Sequence, residues 1–361
     1  MAAPIPQYIL DLSPYVPGKL ISEVMAEMGL SSVIKLGSNE NNLGPSPKAL
    51  EAMRAEFDGL ARYGDAFAVA LKNKIARKFN LPAANVVCGN GSSEFILLLC
   101  HALLGPGLEA VMSRPSFTLY AKCALATGAK ATEIPLKELG HDLPRLLGAI
   151  GPQTRIVFLD NPLNPTGAFL PREELEAFSG SLPEGVLLAL DEAYADYARA
   201  PRPDYARLLQ GGRVVILRTF SKLYGLAGVR VAYALMDDSL AAALNKIRQP
   251  FNLNNFAQAG AIAALDDEEH ERATLAMNAE GVAFYEKSLP PLGLKTYPTQ
   301  ANFIMADSGP LDAETLVARL FREGIIVRSL KSFGLNDKIR VTVGLPRENA
   351  ALLDSLPRAL A

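Results

Sequence analysis

The sequence predicts an α/β fold, with a mostly parallel central sheet in a large domain and a smaller α+β domain after it. Three observations carry that prediction. Short apolar runs bounded by turn residues alternate with stretches of helical periodicity from about residue 33 to about residue 247, the pattern of βαβ units whose strands are buried on both faces. Those apolar runs end in turns rich in Gly, Asn and Pro, where a parallel sheet presents its ligand-binding edge. Beyond about residue 290 the rhythm changes, and short apolar runs interleave with helical stretches at 313–323 and 348–356, which reads as a separate small domain. The expected division is 1–40 as an N-terminal segment that packs with the small domain and covers the site, 41–250 as the large domain, and 251–361 as the small domain, entered by a long helix near 256–285.

Composition narrows the function. The chain has 361 residues, 49% of them hydrophobic and 20% charged, as expected of a globular protein with room for two cores. Its 36 basic and 38 acidic residues give a net charge of -2, so neither nucleic acid nor an anionic membrane is an expected partner. Cys88, Cys100 and Cys123 read as reduced core thiols of a cytoplasmic protein. His101, His141 and His270 lack metal-ligand spacing, so no metal is expected. His101, inside an apolar helical run, is expected in the core. The first ten residues contain no basic residue and no long apolar stretch, and do not read as a signal peptide.

The elements follow in order. A turn at Tyr15-Val16-Pro17-Gly18 precedes a short helical stretch at 21–28 and a strand at 33–36, which ends in Gly37-Ser38-Asn39-Glu40-Asn41-Asn42. Helices are expected at 47–57 and 68–79, with Tyr63 in the turn between them. The strand at 86–88 runs into Gly89-Asn90-Gly91-Ser92-Ser93-Glu94 and then a helix at 95–104. A strand, a Gly/Ser turn and a helix together aim backbone N–H groups and a positive dipole end at an anion. Glu94 stands where a dinucleotide loop needs Gly or Ala, and no Walker lysine follows. The turn therefore suits a single phosphate, or a helix cap made by Ser92 or Ser93.

The strand at 109–112 leads to Phe117, whose ring falls just past the strand end. Helix 120–127 and strand 131–134 follow. The strand at 155–159 enters Asp160-Asn161-Pro162-Leu163-Asn164-Pro165-Thr166-Gly167, where two Asn-Pro steps stiffen a non-helical loop and hold two amides. After a helix at 172–179, the apolar strand 186–190 ends in Asp191-Glu192-Ala193-Tyr194. An acid directly after buried apolar residues is costly without a cationic partner, and a protonated pyridine nitrogen is one such partner. Glu192 is expected to point away from Asp191. The strand at 214–217 runs into Thr219-Phe220-Ser221-Lys222, with Arg230 eight residues on. Burial favours the neutral amine, which attacks a carbonyl carbon, and the flanking hydroxyls and arginine suit a phosphate. A carbonyl and a phosphate on one molecule describe pyridoxal phosphate (PLP). A strand at 229–235 and a helix at 240–247 close the large domain. Strands are expected at 294–297, 303–305, 325–327 and 339–343, with Arg328 and Arg340 placed to reach back toward the large domain.

These motifs, together with Tyr15-Val16-Pro17-Gly18-Lys19 and Arg340-Val341-Thr342-Val343-Gly344, resemble the fold-type I PLP-dependent aminotransferases, and within them the histidinol-phosphate aminotransferase subfamily. The resemblance implies that Lys222 holds PLP as a Schiff base and then moves the proton as general base and acid. It implies that Asp191 pairs with the pyridine nitrogen, and that Tyr194 and Asn164 bond the phenolic oxygen. Phe117 stacks on the ring, and Ser92, Ser93, Thr219, Ser221 and Arg230 gather at its phosphate. Tyr63 resembles a tyrosine that reaches the phosphate of a partner subunit, implying a homodimer. Arg340 resembles the arginine that grips the substrate carboxylate. Tyr15 and Arg328 resemble residues around the substrate phosphate, and Asn39 falls in the substrate segment. Leu163 and Ala168 depart from the Asn and Thr that relatives often carry, at positions that give no PLP contact.

The implied reaction is ping-pong transamination of histidinol phosphate with 2-oxoglutarate, in histidine biosynthesis. An aromatic amino-acid aminotransferase, a decarboxylase of a phosphorylated amino acid and a non-catalytic regulator on the same scaffold are the alternatives. The last usually carries an added DNA-binding domain, for which the roughly 40 residues before the large domain leave little room.

Overall fold

The structure, a computed structural model, describes residues 3–14, 25 and 32–361. Tyr15 and nearly all of the expected helix at 21–28 lie outside the described residues. After a two-residue strand β1 (Ile34–Lys35), the central sheet is built from β2 (Val86–Gly89), β3 (Glu109–Arg114), β4 (Lys130–Pro135), β5 (Thr154–Asp160), β6 (Leu187–Asp191), β7 (Val214–Thr219) and β8 (Ala232–Leu235), in the order β2-β8-β7-β6-β5-β3-β4. Only β8 runs against its neighbours. The carboxyl ends of β2, β3, β5, β6 and β7 therefore share one edge. Strand order reverses between β3 and β5, the crevice where open α/β sheets bind ligands.

The continuous apolar runs follow from burial on both sides. Val157, Leu159, Leu188, Leu190 and Ile216 enter the core on one face of the sheet. Ile156, Phe158, Leu187, Ala189 and Val215 enter the core on the other, as a period of two requires.

The small domain carries β9 (Phe303–Asp307), β10 (Ile325–Ile326), β11 (Arg328–Ser329) and β12 (Lys338–Thr342). Strands β11, β12 and β9 form an antiparallel sheet in that order. Strand β1 pairs parallel with β10, and Leu36 is buried in the small domain's core. From Leu36 the chain crosses the catalytic edge of the large sheet through Gly37, Ser38 and Asn39.

Several expectations change. The expected long helix is two, Asn255–Ala264 and Glu268–Ser288. Asp267 interrupts it by capping the second helix, accepting from His270 N, and is itself held by Ser46 Oγ at 2.5 Å. The first of these helices puts Ala257, Ala261 and Ala264 into the large-domain core. Residues 294–297 form no strand, only a single bridge between Thr296 and Ala306. The segment before β8 is a 3-10 turn (Ala227–Val229), and the strand starts at Ala232. His101 is exposed, not in the core. It lies four residues after the exposed Leu97, on the outer face of helix Ser92–Leu103.

Arg218, inside β7 and 1% exposed, explains Glu192. Its guanidinium donates to Glu192 Oε2 at 2.7 Å, to Asp196 and to Tyr205 Oη at 3.3 Å. Glu192 thus faces away from Asp191, and its ion pairs tie the loop after β6 to β7. A buried ion-pair network of this kind specifies geometry more than it adds stability. Here the geometry it fixes is that of the segment holding Tyr194.

Candidate active site

Lys222 follows β7 by three residues. It is half-buried rather than buried, and its Nζ donates to Ser38 O at 3.3 Å. The same nitrogen lies 5.4 Å from the centre of the Tyr194 ring. The turn beneath it is fixed by Ser221 N donating to Thr219 Oγ1 at 3.0 Å. Gly225, at φ +65°, lies so close to Gly44 O that a Cβ would overlap it, so this turn demands glycine.

Asp191 ends β6 and is 5% exposed. Its carboxylate accepts from Tyr120 Oη at 2.9 Å and from Ala193 N at 3.0 Å. Among the described residues it has no ion-pair partner. Burial pushes its acid up to about 6, against the lowering effect of those two hydrogen bonds. A buried carboxylate left this way calls for a ligand cation.

The two amides of the Asn-Pro loop divide. Asn161 is structural: it donates to Leu170 O at 3.1 Å and accepts from Leu170 N at 2.9 Å. Asn164 is the aimed one. Its N–H donates to Asp160 Oδ2 at 2.8 Å, and its Oδ1 accepts from Arg340. Arg340, 7% exposed, also donates to Gly37 O at 3.0 Å, bringing the small domain onto the loop.

Asn39 makes a second link between the domains. At φ +55°, a conformation that Asn tolerates better than most residues, it donates from Nδ2 to Tyr194 Oη at 3.0 Å. Its backbone N–H donates to Thr342 Oγ1 at 2.9 Å, and its carbonyl accepts from Asn302 at 3.1 Å.

The expected phosphate end has a cradle. Helix Ser92–Leu103 is capped by Gly91 at φ +81°, and no side chain caps it. The alternative of a Ser92 or Ser93 cap is thereby overturned. A Cβ on Gly91 would overlap the Arg230 guanidinium, so glycine lets that arginine lie against the helix start. Arg230, itself exposed and at φ +59°, donates to Ser221 Oγ at 3.4 Å and Ala227 O at 3.1 Å.

A cavity of about 610 Å³ opens beside these groups, lined by Phe117, Asn164, Tyr194, Lys222, Arg328 and Arg340 among others. Arg328 and Arg340 stand directly opposite each other in the β11–β12 pair. Like charges in that position are destabilising without an anion between them. Ser92, Ser93, Thr219, Ser221 and Arg230 do not line this cavity. Tyr63 is 82% exposed and stacks on Phe251 with ring centres 4.6 Å apart.

Sequence reasoning missed a buried layer behind the site. Tyr120 sets its ring edge against Phe117 at 5.6 Å while its hydroxyl reaches Asp191. Asp160, level with Asp191 on the neighbouring strand, holds Asn164. Burial raises its acid well above the usual range. His141 donates from Nε2 to Asp160 O at 2.9 Å, so its Nδ1 accepts from Ser113 Oγ at 2.7 Å. Burial pushes His141 down to about 4, leaving it neutral. The signal for Asp160 was available: it too follows a run of buried apolar residues, as Asp191 does. Tyr120 and His141 carried no local signal, since their partners are 71 and 19 residues away.

Among the described residues, no group of His, Cys, Asp and Glu is arranged to hold a metal ion, and no helix is long and apolar enough to cross a membrane. The family model "Aminotransferase class I and II" matches residues 31–356. A histidinol-phosphate aminotransferase of Ralstonia nicotianae is 43% identical over 99% of this chain and 97% of its own length. One from Pseudomonas fluorescens is 44% identical over 98% and 96%. The crystal structure of histidinol-phosphate aminotransferase from Sinorhizobium meliloti in complex with pyridoxal-5'-phosphate superposes with a TM-score of 0.93 at 30% identity, covering 100% of this chain and 98% of that one. With the likeness running almost end to end and the lysine, buried acid and anion cradle meeting on one sheet edge, the chain belongs to the class I and II aminotransferases.

Proposed function

We propose that this aminotransferase uses PLP to move the amino group of L-histidinol phosphate to 2-oxoglutarate, giving imidazole acetol phosphate and L-glutamate. The observation that carries the cofactor is Asp191, a buried acid with no ion-pair partner among the described residues, on the same sheet edge as an aimed lysine and an arginine-backed helix start. PLP supplies an aldehyde carbon and a ring that accepts the electrons of the substrate Cα–H bond. Lys222 Nζ would hold the aldehyde carbon and would then take the proton from substrate Cα and return it. Asp191 would keep the ring nitrogen protonated, its carboxylate held in place by Tyr120 and Ala193 N. Tyr194 and Asn164 would bond the phenolic oxygen, and Phe117 would pack against the ring. The start of helix Ser92–Leu103 and Arg230, brought together at Gly91, would hold the phosphate with Ser92, Ser93, Thr219 and Ser221.

The near full-length relatives and the paired arginines of the cavity support the phosphorylated donor. Steady-state kinetics tests it: kcat/KM for histidinol phosphate is expected to exceed that for phenylalanine by at least a factor of ten or so, as a site built around buried polar groups discriminates. A clear preference for phenylalanine would overturn the substrate assignment. Gly91→Ala is expected to displace Arg230 and raise the PLP concentration that half-restores activity to resolved enzyme by about tenfold or more, the loss of one charge-assisted contact.

We further infer a homodimer in which Tyr63 reaches the partner's site. Exposed Phe57, Leu60, Tyr63 and Phe67, with Phe251 beneath Tyr63, support an apolar interface. Three buried free thiols support a reducing, cytoplasmic setting.

A further inference from the structure

The cavity's charge is one-sided. Its lining includes Lys35, Lys122, Lys222, Arg328 and Arg340, and no carboxylate lines it among the described residues. Three of the five cations have identifiable tasks or partners. Lys35 is paired with Glu40 at 2.8 Å. Lys222 is the reacting amine. Arg340 is anchored on Asn164 and Gly37 O, placed for the carboxylate of 2-oxoglutarate or glutamate, since histidinol phosphate carries none. Arg328 stands beside Arg340 on the next strand. Lys122 is left over with Arg328: it is half-buried and, among the described residues, without an ion pair.

Lys122 comes from the large domain, whereas Arg328 comes from the small one. It follows Thr118 by four residues on helix Leu119–Ala126, and both line the cavity beyond Phe117, as i, i+4 residues share a helix face. Arg328 and Ser332 line the same cavity from the small domain. A phosphate dianion in this cavity would take one full positive charge from each domain, together with hydroxyl donors from Thr118 and Ser332. A monoanionic amino acid leaves Lys122 without a counter-charge in a half-buried site.

We propose that Lys122 is a specificity-determining residue that, with Arg328, binds the phosphate of the amino donor across the two domains. This rests on the phosphorylated-donor reading above. The test compares histidinol phosphate with unphosphorylated histidinol as donors to holoenzyme at saturating 2-oxoglutarate, for wild type, Lys122→Met and Lys122→Arg. In Lys122→Met the ratio of kcat/KM for the two donors is expected to fall about tenfold or more, through the KM of the phosphorylated donor. Lys122→Arg is expected to keep most of the ratio, which also shows that the helix tolerates substitution. A wild-type preference for the phosphate that survives unchanged in Lys122→Met overturns this assignment alone. A wild type that does not prefer the phosphorylated donor overturns the substrate reading and this assignment with it. A loss equal for both donors assigns Lys122 to structure and also overturns the proposal.

Discussion

Lys222→Ala is expected to reduce transamination by about a thousandfold or more, because the group that holds the aldehyde and the group that moves the proton are lost together. The remaining machinery is expected to stay in place, since among the described residues Lys222 Nζ makes one backbone hydrogen bond, to Ser38 O, and otherwise lies over the Tyr194 ring, which packs on Phe303 without it. The variant should therefore still bind PLP through the phosphate cradle, and show it as a coloured protein. Borohydride should attach the cofactor covalently to wild type and not to the variant. A small primary amine added to the variant is expected to restore part of the proton-transfer rate. Full turnover by Lys222→Ala would sink the mechanism.

Asp191→Asn is expected to lower kcat by about a hundredfold or more, the scale for one preorganised charge at a reacting centre. Stability is expected to move the other way. Burial raises Asp191 from 3.8 to about 6, so between those values the folded chain holds a proton that the unfolded chain has released. Stability of the cofactor-free protein therefore falls as pH rises through that window, by about 3 kcal/mol in all. The loss is complete above about pH 6 and absent below about pH 4. Asparagine does not titrate, and the Tyr120 hydroxyl can accept from the new amide. Denaturant unfolding of cofactor-free protein at pH 5 and pH 7 should show Asp191→Asn more stable than wild type at pH 7, by up to about 3 kcal/mol, with a smaller gap at pH 5. Adding PLP should close the gap, because the protonated ring gives the carboxylate its cation. A variant less stable than wild type at pH 7 would contradict this account of the buried acid.

Much of this was legible in the chain itself. Strands β5, β6 and β7 announce themselves because burial on both faces requires unbroken apolar runs. The residues that follow them, Asn164, Asp191 and Lys222, are polar groups where the runs stop. Parallel order then puts their strand ends together, whatever the details of packing. The anion-binding turn at Gly91 is local too, since a helix start needs only the residues beside it.

What the sequence alone determined is thus the sheet, its catalytic edge and the family. What only the tertiary structure decided are contacts between residues far apart in the chain. Tyr120 and Asp191 meet across two strand–helix units. Arg340 reaches Asn164 from another domain, and the break at Asp267 gives helix Asn255–Ala264 to the large domain. Lys122 looks like any surface lysine until the small domain brings Arg328 to the same cavity. Periodicity reports which face of an element is buried, but it is silent on which distant side chain will be buried against it. That is settled when the domains pack.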